Sequence, residues 1–353
     1  MEGGRWKFSL RDVLVAMVAF GVCFALFARW IHVTREESRR NTCIKNLKRL
    51  GFGLHNHHDV FRRFPVLTST QLYQVSPRAV DLGAAPAAGY SWTSKLLPYL
   101  EEAVSYNNLS RYSNKFQISP FSVPRPLGAN GPPIWSTELE PFRCPSYSGP
   151  RFSTAPEYAS HSGTDASGAK FGVAVCNYVA LTATHLTCIT NDPDATDAIK
   201  CNGMIVPGRG TNLREIVDGT YCTLMVCESR ESGYSSWYDG TVAWVVAADP
   251  NGPEPAKDSN DFWTTSGGVS IHVGPRRSTP NGVYLPSTKL STIQVDRKWG
   301  PSSEHVSGVV NHLDGDGSVH SLKDDIDPTV YLQITTRAGR EPTTVPYNAS
   351  SAP

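Results

Sequence analysis

The sequence has almost no net charge: 33 Lys and Arg stand against 32 Asp and Glu in 353 residues, a formal +1. That balance excludes a uniformly basic protein whose whole surface would draw nucleic acid, and none is expected as a partner. Charged residues are sparse at 18%, while hydrophobic ones reach 40%, so material for a core is available. Local chemical motifs are missing too. No C-x-x-C pair occurs, so neither a thiol redox couple nor a zinc knuckle is written locally. There is no G-x-S-x-G, H-E-x-x-H or P-loop, and Asp and Glu are too scattered to nominate an acid/base pair. The expectation is a non-catalytic chain without a cofactor. What is plentiful is punctuation: 29 Gly and 26 Pro argue for a turn-rich β or α+β protein rather than a helical bundle.

One apolar run stands out. Val13 to Ala28 is sixteen residues without a charge, extended towards the N-terminus by Phe8-Ser9-Leu10 and interrupted by Arg11-Asp12. Sixteen falls short of the roughly 20 needed to span a bilayer. Trp6 and Trp30 bracket the run, about 36 Å apart along a helix, which suits two interfacial aromatics. A cleaved signal is disfavoured because Ala28-Arg29-Trp30 is bulky and charged, and a core helix because the run is apolar on every side. A retained single-span anchor in the lipid bilayer is expected. Basic residues flank it on both sides, so charge alone leaves the side of the remaining chain open.

The net charge conceals a polarity along the chain. Residues 29–63 hold nine Lys and Arg against Glu36, Glu37 and Asp59, a local +6 that the segment beyond offsets. Within it, Ile44, Leu47, Leu50, Leu54 and Phe61 recur at three- and four-residue spacings, the pattern of an amphipathic helix with its limit at Pro65. A membrane helix continuing into an amphipathic stem and then a turn-rich head is the plan of a type IV pilin or pseudopilin.

Particular words sharpen this. Cys43-Ile44-Lys45-Asn46-Leu47-Lys48-Arg49-Leu50-Gly51, then Leu54-His55-Asn56-His57-His58-Asp59 and Arg63-Phe64-Pro65, follow one another. Further on come Trp92 with Leu96-Leu97-Pro98-Tyr99-Leu100-Glu101, Phe142-Arg143-Cys144-Pro145-Ser146, Asn177-Tyr178, and Ile216-Val217-Asp218-Gly219-Thr220 leading to Glu228. His305 with Asp316-Gly317-Ser318-Val319 and Ala338-Gly339-Arg340-Glu341 complete the series. In this order the words closely resemble the DUF1559 family, pilin-like proteins abundant in planctomycete bacteria with a C-terminal H-x9-DG motif. The resemblance implies a pilin-like α+β fold and a role beside other pilin-like subunits, and supplies no biochemical activity.

Two departures from the family pattern bear on mechanism. Where relatives carry a prepilin-peptidase motif, G-F-T-L-V-E, this chain has Lys7-Phe8-Ser9-Leu10-Arg11-Asp12, with Lys in place of the Gly and Asp12 in place of the Glu. A peptidase needing a small residue before its scissile bond should refuse Lys7, and Arg11 charges a surface that packed pilin helices keep apolar. The C-terminal motif is also re-spaced: ten residues separate His305 from Asp316-Gly317 and eight separate it from Asp314-Gly315.

Candidate chemistry is limited. On a helix His55, His58 and Asp59 share a face and offer Zn²⁺ ligands, against a reading in which they cap the stem and hydrogen-bond to the head; the second is favoured, since no third strong ligand follows. Asp314, Asp316 and Asp325, with Ser318, match part of a Ca²⁺ loop, but Val319 stands where that loop needs Gly, and the Asp-Gly pairs between two β-rich runs read first as a hairpin turn. Cys188 and Cys201 flank a polar loop that a disulfide would close. Cys43 and Cys144 sit at the family-signature positions and are candidates to tie stem to head; buried free thiols are the alternative for both pairs.

The expected organisation is an anchor over residues 1–32, an amphipathic stem over 33–65, a pilin-like head over 66–341 and a disordered tail over 342–353. The head should be an antiparallel sheet under the helix, with long loops, a helical segment over 96–107, and β-rich runs at 171–179, 223–227, 241–246 and after His305. It is expected outside the cytoplasmic membrane, as part of a type II secretion-like or cell-surface system. The alternative is an anchored binding module that stacks a carbohydrate on the loop Tyr234-Ser235-Ser236-Trp237-Tyr238-Asp239.

Overall fold

The structure, a computed structural model, describes residues 10–68, 89–128, 130–184, 201–233, 235–240, 242–247, 263–264, 270–271, 300–323 and 326–339. It is dominated by one helix, α1 (Leu10–Phe61), whose 52 residues make a rod about 78 Å long. Anchor and stem are thus a single unbroken element. The first part meets no protein cover: Leu14 is 53%, Phe20 73% and Trp30 63% exposed. From Glu36 onward a seam turns inward, with Glu36, Arg40, Cys43, Leu47, Leu50 and Leu54 alternating four- and three-residue steps. Cys43, Leu47, Leu50 and Leu54 are completely buried. Ile44 is only half-buried and Phe61 is exposed, so the helix turns these two expected contacts off the seam. The helix stops where Arg62 enters the left-handed region at φ 58° and donates its N–H to the His58 carbonyl at 2.6 Å; Pro65 then bars continuation.

The head opens with α2 (Trp92–Leu96), where the Ser91 hydroxyl accepts the Thr93 N–H at 3.2 Å, and a 3-10 turn follows over Leu97–Tyr99. Then comes α3 (Ala103–Tyr112). The single helical segment expected over 96–107 is therefore broken, because Glu101 adopts φ 63°, a left-handed conformation no helix continues through. Short strands β1 (Gly163–Thr164) and β2 (Lys170–Phe171) form a ribbon, and β3 (Tyr178–Ala183), β4 (Leu224–Glu228) and β5 (Trp244–Val246) enter the main sheet. After the pair β6 (Trp263–Thr264) and β7 (Ser270–Ile271), the hairpin β8 (Val309–Asp314) and β9 (Val319–Lys323) completes that sheet, and α4 (Pro328–Gln333) follows.

The strand order is β5-β3-β4-β8-β9. All pairings in it are antiparallel except β3 with β5, which run parallel. The expectation of a purely antiparallel sheet is corrected by the long excursion between β4 and β5 over residues 229–243, which returns the chain in the same direction as β3. The run 171–179 is not one strand either. Val173 to Cys176 are buried, but Ala174 and Val175 donate to the Trp135 and Arg151 carbonyls instead of a ladder.

Strands β3, β4, β5 and β8 are buried throughout. The stem lies across β8 and β9 and comes unusually near the turn between them. A Cβ on Gly51 would stand 2.9 Å from Leu313 Cδ1 and 3.3 Å from Gly317 Cα, so glycine lets the helix approach without displacing either. The loop expected to be a carbohydrate platform is core: Trp237 is 1% exposed, stacks on Phe142 with ring centroids 6.1 Å apart and donates Nε1–H to the Thr137 carbonyl at 2.8 Å. Ser235, Ser236, Tyr238 and Asp239 are buried beside it, and Tyr234 lies outside the described residues. The large apolar rings close the sheet rather than face solvent, which overturns that placement of a binding surface.

Candidate functional site: a buried lock between stem and head

Four words of the sequence meet at one place. Cys43, on the inner seam of α1, is disulfide-bonded to Cys144, with Cα atoms 5.3 Å apart across a sequence separation of 101. Glu228, the last residue of β4, is 1% exposed and points at the same spot, its Oε1 3.8 Å from Cys144 Sγ. His305, just before β8, completes the group with its side chain wholly buried. One donor atom from each of Cys43, Cys144, Glu228 and His305 lies within 4.8 Å of all the others.

Both ring nitrogens of His305 are engaged. Nε2 stands 3.2 Å from Glu228 Oε1, and Nδ1 stands 3.0 Å from Glu36 Oε1, which also accepts the Ser146 hydroxyl at 2.7 Å. Burial favours the neutral ring, but the hydrogen bonds and charges of Glu228 and Glu36 outweigh it and hold the His305 pKa above its ordinary value. Glu228 is fixed in turn by Asn311, whose backbone N–H donates to Oε2 at 2.9 Å and whose amide reaches Oε1 at 3.1 Å. Asn311 Oδ1 accepts the Ser321 hydroxyl at 2.6 Å, and the Ser321 oxygen accepts from Arg40 of the stem at 2.8 Å. Asn177 cements the near side: Oδ1 accepts the Cys144 N–H at 3.1 Å and Nδ2 donates to the Ser229 carbonyl at 3.2 Å. Asn46, one helical turn past Cys43, donates to the Arg143 carbonyl at 3.1 Å. The stem is thus held by a covalent bond and by an imidazole between two carboxylates.

A second clasp forms at the β8–β9 turn. Gly317 supplies the positive φ, 91°, and its N–H donates to the Asp314 carbonyl at 3.0 Å, so Asp316-Gly317 is the pair that turns the hairpin despite the altered spacing from His305. The Asp314 side chain accepts from Ser318 at 3.2 Å and forms a short contact with His320 Nδ1, while Asp316 accepts the Ser318 N–H at 2.8 Å. The first two candidate Ca²⁺ ligands are thereby drawn into hydrogen bonds of the hairpin, and Asp325 lies outside the described residues.

His55 and His58 do fall on the inner side of the stem, while Asp59 is exposed. They do not hydrogen-bond to the head as expected. Among the described residues His58 Nδ1 and Nε2 and His55 Nε2 find no hydrogen-bond partner, and both rings pack on Phe64, at 5.0 and 5.8 Å. Burial lowers the His58 pKa. Asn56 is half-buried beside them. Of the other expected bridge, Cys201 is buried and Cys188 lies outside the described residues. Burial pushes the Cys176 thiol up to about 12 and the Cys227 thiol well above its usual value, so neither is a nucleophile at neutral pH.

The basic stem faces acidic head residues at particular points. Arg49 meets Glu140 at 2.7 Å and Glu101 at 3.8 Å, and Arg63 approaches Glu215 at 3.9 Å. Arg39 instead pairs within the helix, with Glu36 at 3.8 Å.

In the sequence Cys43, Cys144 and His305 stand out as signature residues and Glu228 only as the end of a word, while Glu36 and Asn311 give no signal. These residues lie far apart in the chain, with no local spacing to betray them. Together these features define an α+β head carried on one long helix whose N-terminal portion is apolar enough to cross a membrane, with an 18-residue stretch of mean hydropathy 2.2 that no other part of the described structure covers. Residues 33–329 match the model of a family described as Protein of unknown function (DUF1559), and the chain belongs to that family. No curated protein and no solved structure matches it.

Proposed function

We propose that the protein is a non-catalytic, membrane-anchored structural or assembly component built on the pilin or pseudopilin plan, its head outside the cytoplasmic membrane in a type II secretion-like or cell-surface system. The observation that carries this reading is the division of labour along α1. Its apolar part is bare, which in water would be a large aggregation-prone surface and in lipid is a span. The same helix is then clamped into the head by the Cys43–Cys144 bond and the His305 lock. Such a rod fixes the head's orientation relative to the bilayer, as an assembly subunit requires and a tethered enzyme does not. The disulfide supports an oxidising compartment. The bilayer and other pilin-like subunits are the proposed partners; Arg49 and Arg63 of the stem answer acidic groups of the head, and no nucleic acid is proposed.

The test combines the mature N-terminus, read by mass spectrometry, with protease access to intact spheroplasts. External protease should remove the head. A head resistant until the membrane is broken would refute the topology. A methylated Phe8 would mark a processed pseudopilin, and an uncut chain a fixed anchor.

A second reading, an anchored binding module, draws support from one feature: a cleft of about 590 Å³ lined by Phe121, Val123, Arg125, Trp135 and His161. Retention of the intact protein on immobilised oligosaccharides, lost in Arg125→Ala, would favour it; no retention on any glycan would retire it.

A further inference from the structure

The lock contains more donor chemistry than a disulfide needs. Two sulfurs, an imidazole nitrogen and a carboxylate oxygen come from four separate chain segments and converge within 4.8 Å. We propose that this pocket is also a closed, four-ligand site for a borderline-soft divalent cation of the Zn²⁺ type, formed by Cys43, Cys144, Glu228 and His305 when the disulfide is reduced.

Tetrahedral coordination with metal–sulfur bonds near 2.3 Å places two thiolates about 3.8 Å apart. Breaking the S–S bond allows that separation without moving either backbone far, since the Cα atoms already stand 5.3 Å apart. Two thiolates with an imidazole select Zn²⁺ or Co²⁺ over the oxygen-seeking Ca²⁺ and Mg²⁺. The surroundings supply the outer layer that metal sites use. Glu36 holds His305 Nδ1 at 3.0 Å, the carboxylate–histidine arrangement that fixes a ring so that Nε2 faces inward and ligates once its proton is lost. Asn311 N–H anchors Glu228 Oε2 at 2.9 Å, while Oε1, contacted by the Asn311 amide and His305 Nε2, stands 3.8 Å from Cys144 Sγ. All four donors are buried, with Cys43 0%, Glu228 1%, His305 5% and Cys144 7% exposed, the setting of a structural site without an open position for water.

A dithiol reductant gives two electrons and two protons to the disulfide; the S–S bond breaks, two thiols form, and the reductant becomes a disulfide. Cation binding then expels both thiol protons and the Nε2 proton of the His305 imidazolium, as two metal–sulfur bonds, one metal–nitrogen bond and one bond to Glu228 Oε1 form. Stem and head stay clamped in either state, by a covalent bond when oxidised and by the ion when reduced.

The test uses the full chain in detergent, reduced anaerobically with a phosphine that does not chelate metals, and Co²⁺ as the spectroscopic probe. One equivalent should bind with thiolate-to-cobalt charge-transfer absorption, Zn²⁺ should displace it, and the oxidised protein should show none. His305→Gln and Cys43→Ser should abolish the tetrahedral spectrum, and Glu36→Gln, which keeps all four donors, should weaken binding at least tenfold. Absence of charge-transfer absorption in the reduced wild-type protein overturns the proposal. So does a spectrum unchanged in Cys43→Ser, which would assign the ion to other thiols. Should Cys43→Ser fail to fold, Glu36→Gln decides: undiminished affinity there refutes the site.

Discussion

Replacing both Cys43 and Cys144 by Ser is the most direct test of how firmly the stem is held. The bridge spans a sequence separation of 101, for which the chain-entropy relation gives about 4.7 kcal/mol of stabilisation through the unfolded state. Two smaller effects oppose one another. Serine hydroxyls find acceptors beside Glu228, which limits the desolvation penalty, while the loss of two buried sulfurs thins the packing of a wholly buried seam. The net loss should lie at about 3–5 kcal/mol, and at roughly 2–4 °C per kcal/mol for a chain of this size the melting midpoint should fall by about 6–20 °C. Thermal melts of the full chain in detergent, followed by circular dichroism, read this directly. Wild-type protein melted with a phosphine and a chelator should track the double variant. A double variant within about 2 °C of the oxidised wild type would refute the reasoning, because it would mean the noncovalent lock alone holds stem to head.

Other outcomes follow from other contacts. His312 is buried between the Val310 carbonyl, at 3.0 Å from Nδ1, and the Tyr331 hydroxyl, at 2.9 Å from Nε2, and burial depresses its pKa to about 4. The unfolded chain takes up this proton first, near pH 6.5, so stability should fall as pH drops from 6.5 towards 4, by about 3 kcal/mol at full protonation; His312→Gln should flatten that limb of a pH-melting curve. Gly51→Val drives a side chain into Leu313 and the Gly317 backbone and should cost about 2 kcal/mol or more despite the gain in helix propensity, whereas Gly21→Val, with nothing within 4 Å, should leave the head's melting unchanged. Arg49→Glu should destabilise the stem–head contact by about 1 kcal/mol in denaturant titration, while Arg39→Glu, whose partner is on its own helix, should disturb the head less.

The long helix is legible in the sequence because its signal is local: an uncharged run, then apolar residues at helical spacing up to a proline. The hairpin is legible for the same reason, since Asp316-Gly317 between two β-rich runs states its own turn. Residues that act through distant neighbours mislead. Trp237 and Tyr238 look like a binding loop in one dimension and are core in three, because only the fold shows which surface lies above an aromatic ring. His55 and His58 share a helix face, which suggests Zn²⁺ ligands or caps for the stem, and instead pack on Phe64. Glu101 breaks a helix through its backbone conformation, which composition does not encode.

By itself the sequence determined the elements, the polarity of charge and the membership of a family, all of which depend on neighbours a few residues away or on words in a fixed order. Only the tertiary structure decided what the signature words are for. It brought Cys43, Cys144, Glu228 and His305 into one buried pocket, set Glu36 behind the histidine, and assigned the basic stem its acidic partners at Glu140 and Glu101. The physical reason is that burial and hydrogen bonding reward contacts made through space, and residues far apart along the chain carry no mutual spacing that a reading of neighbours could detect.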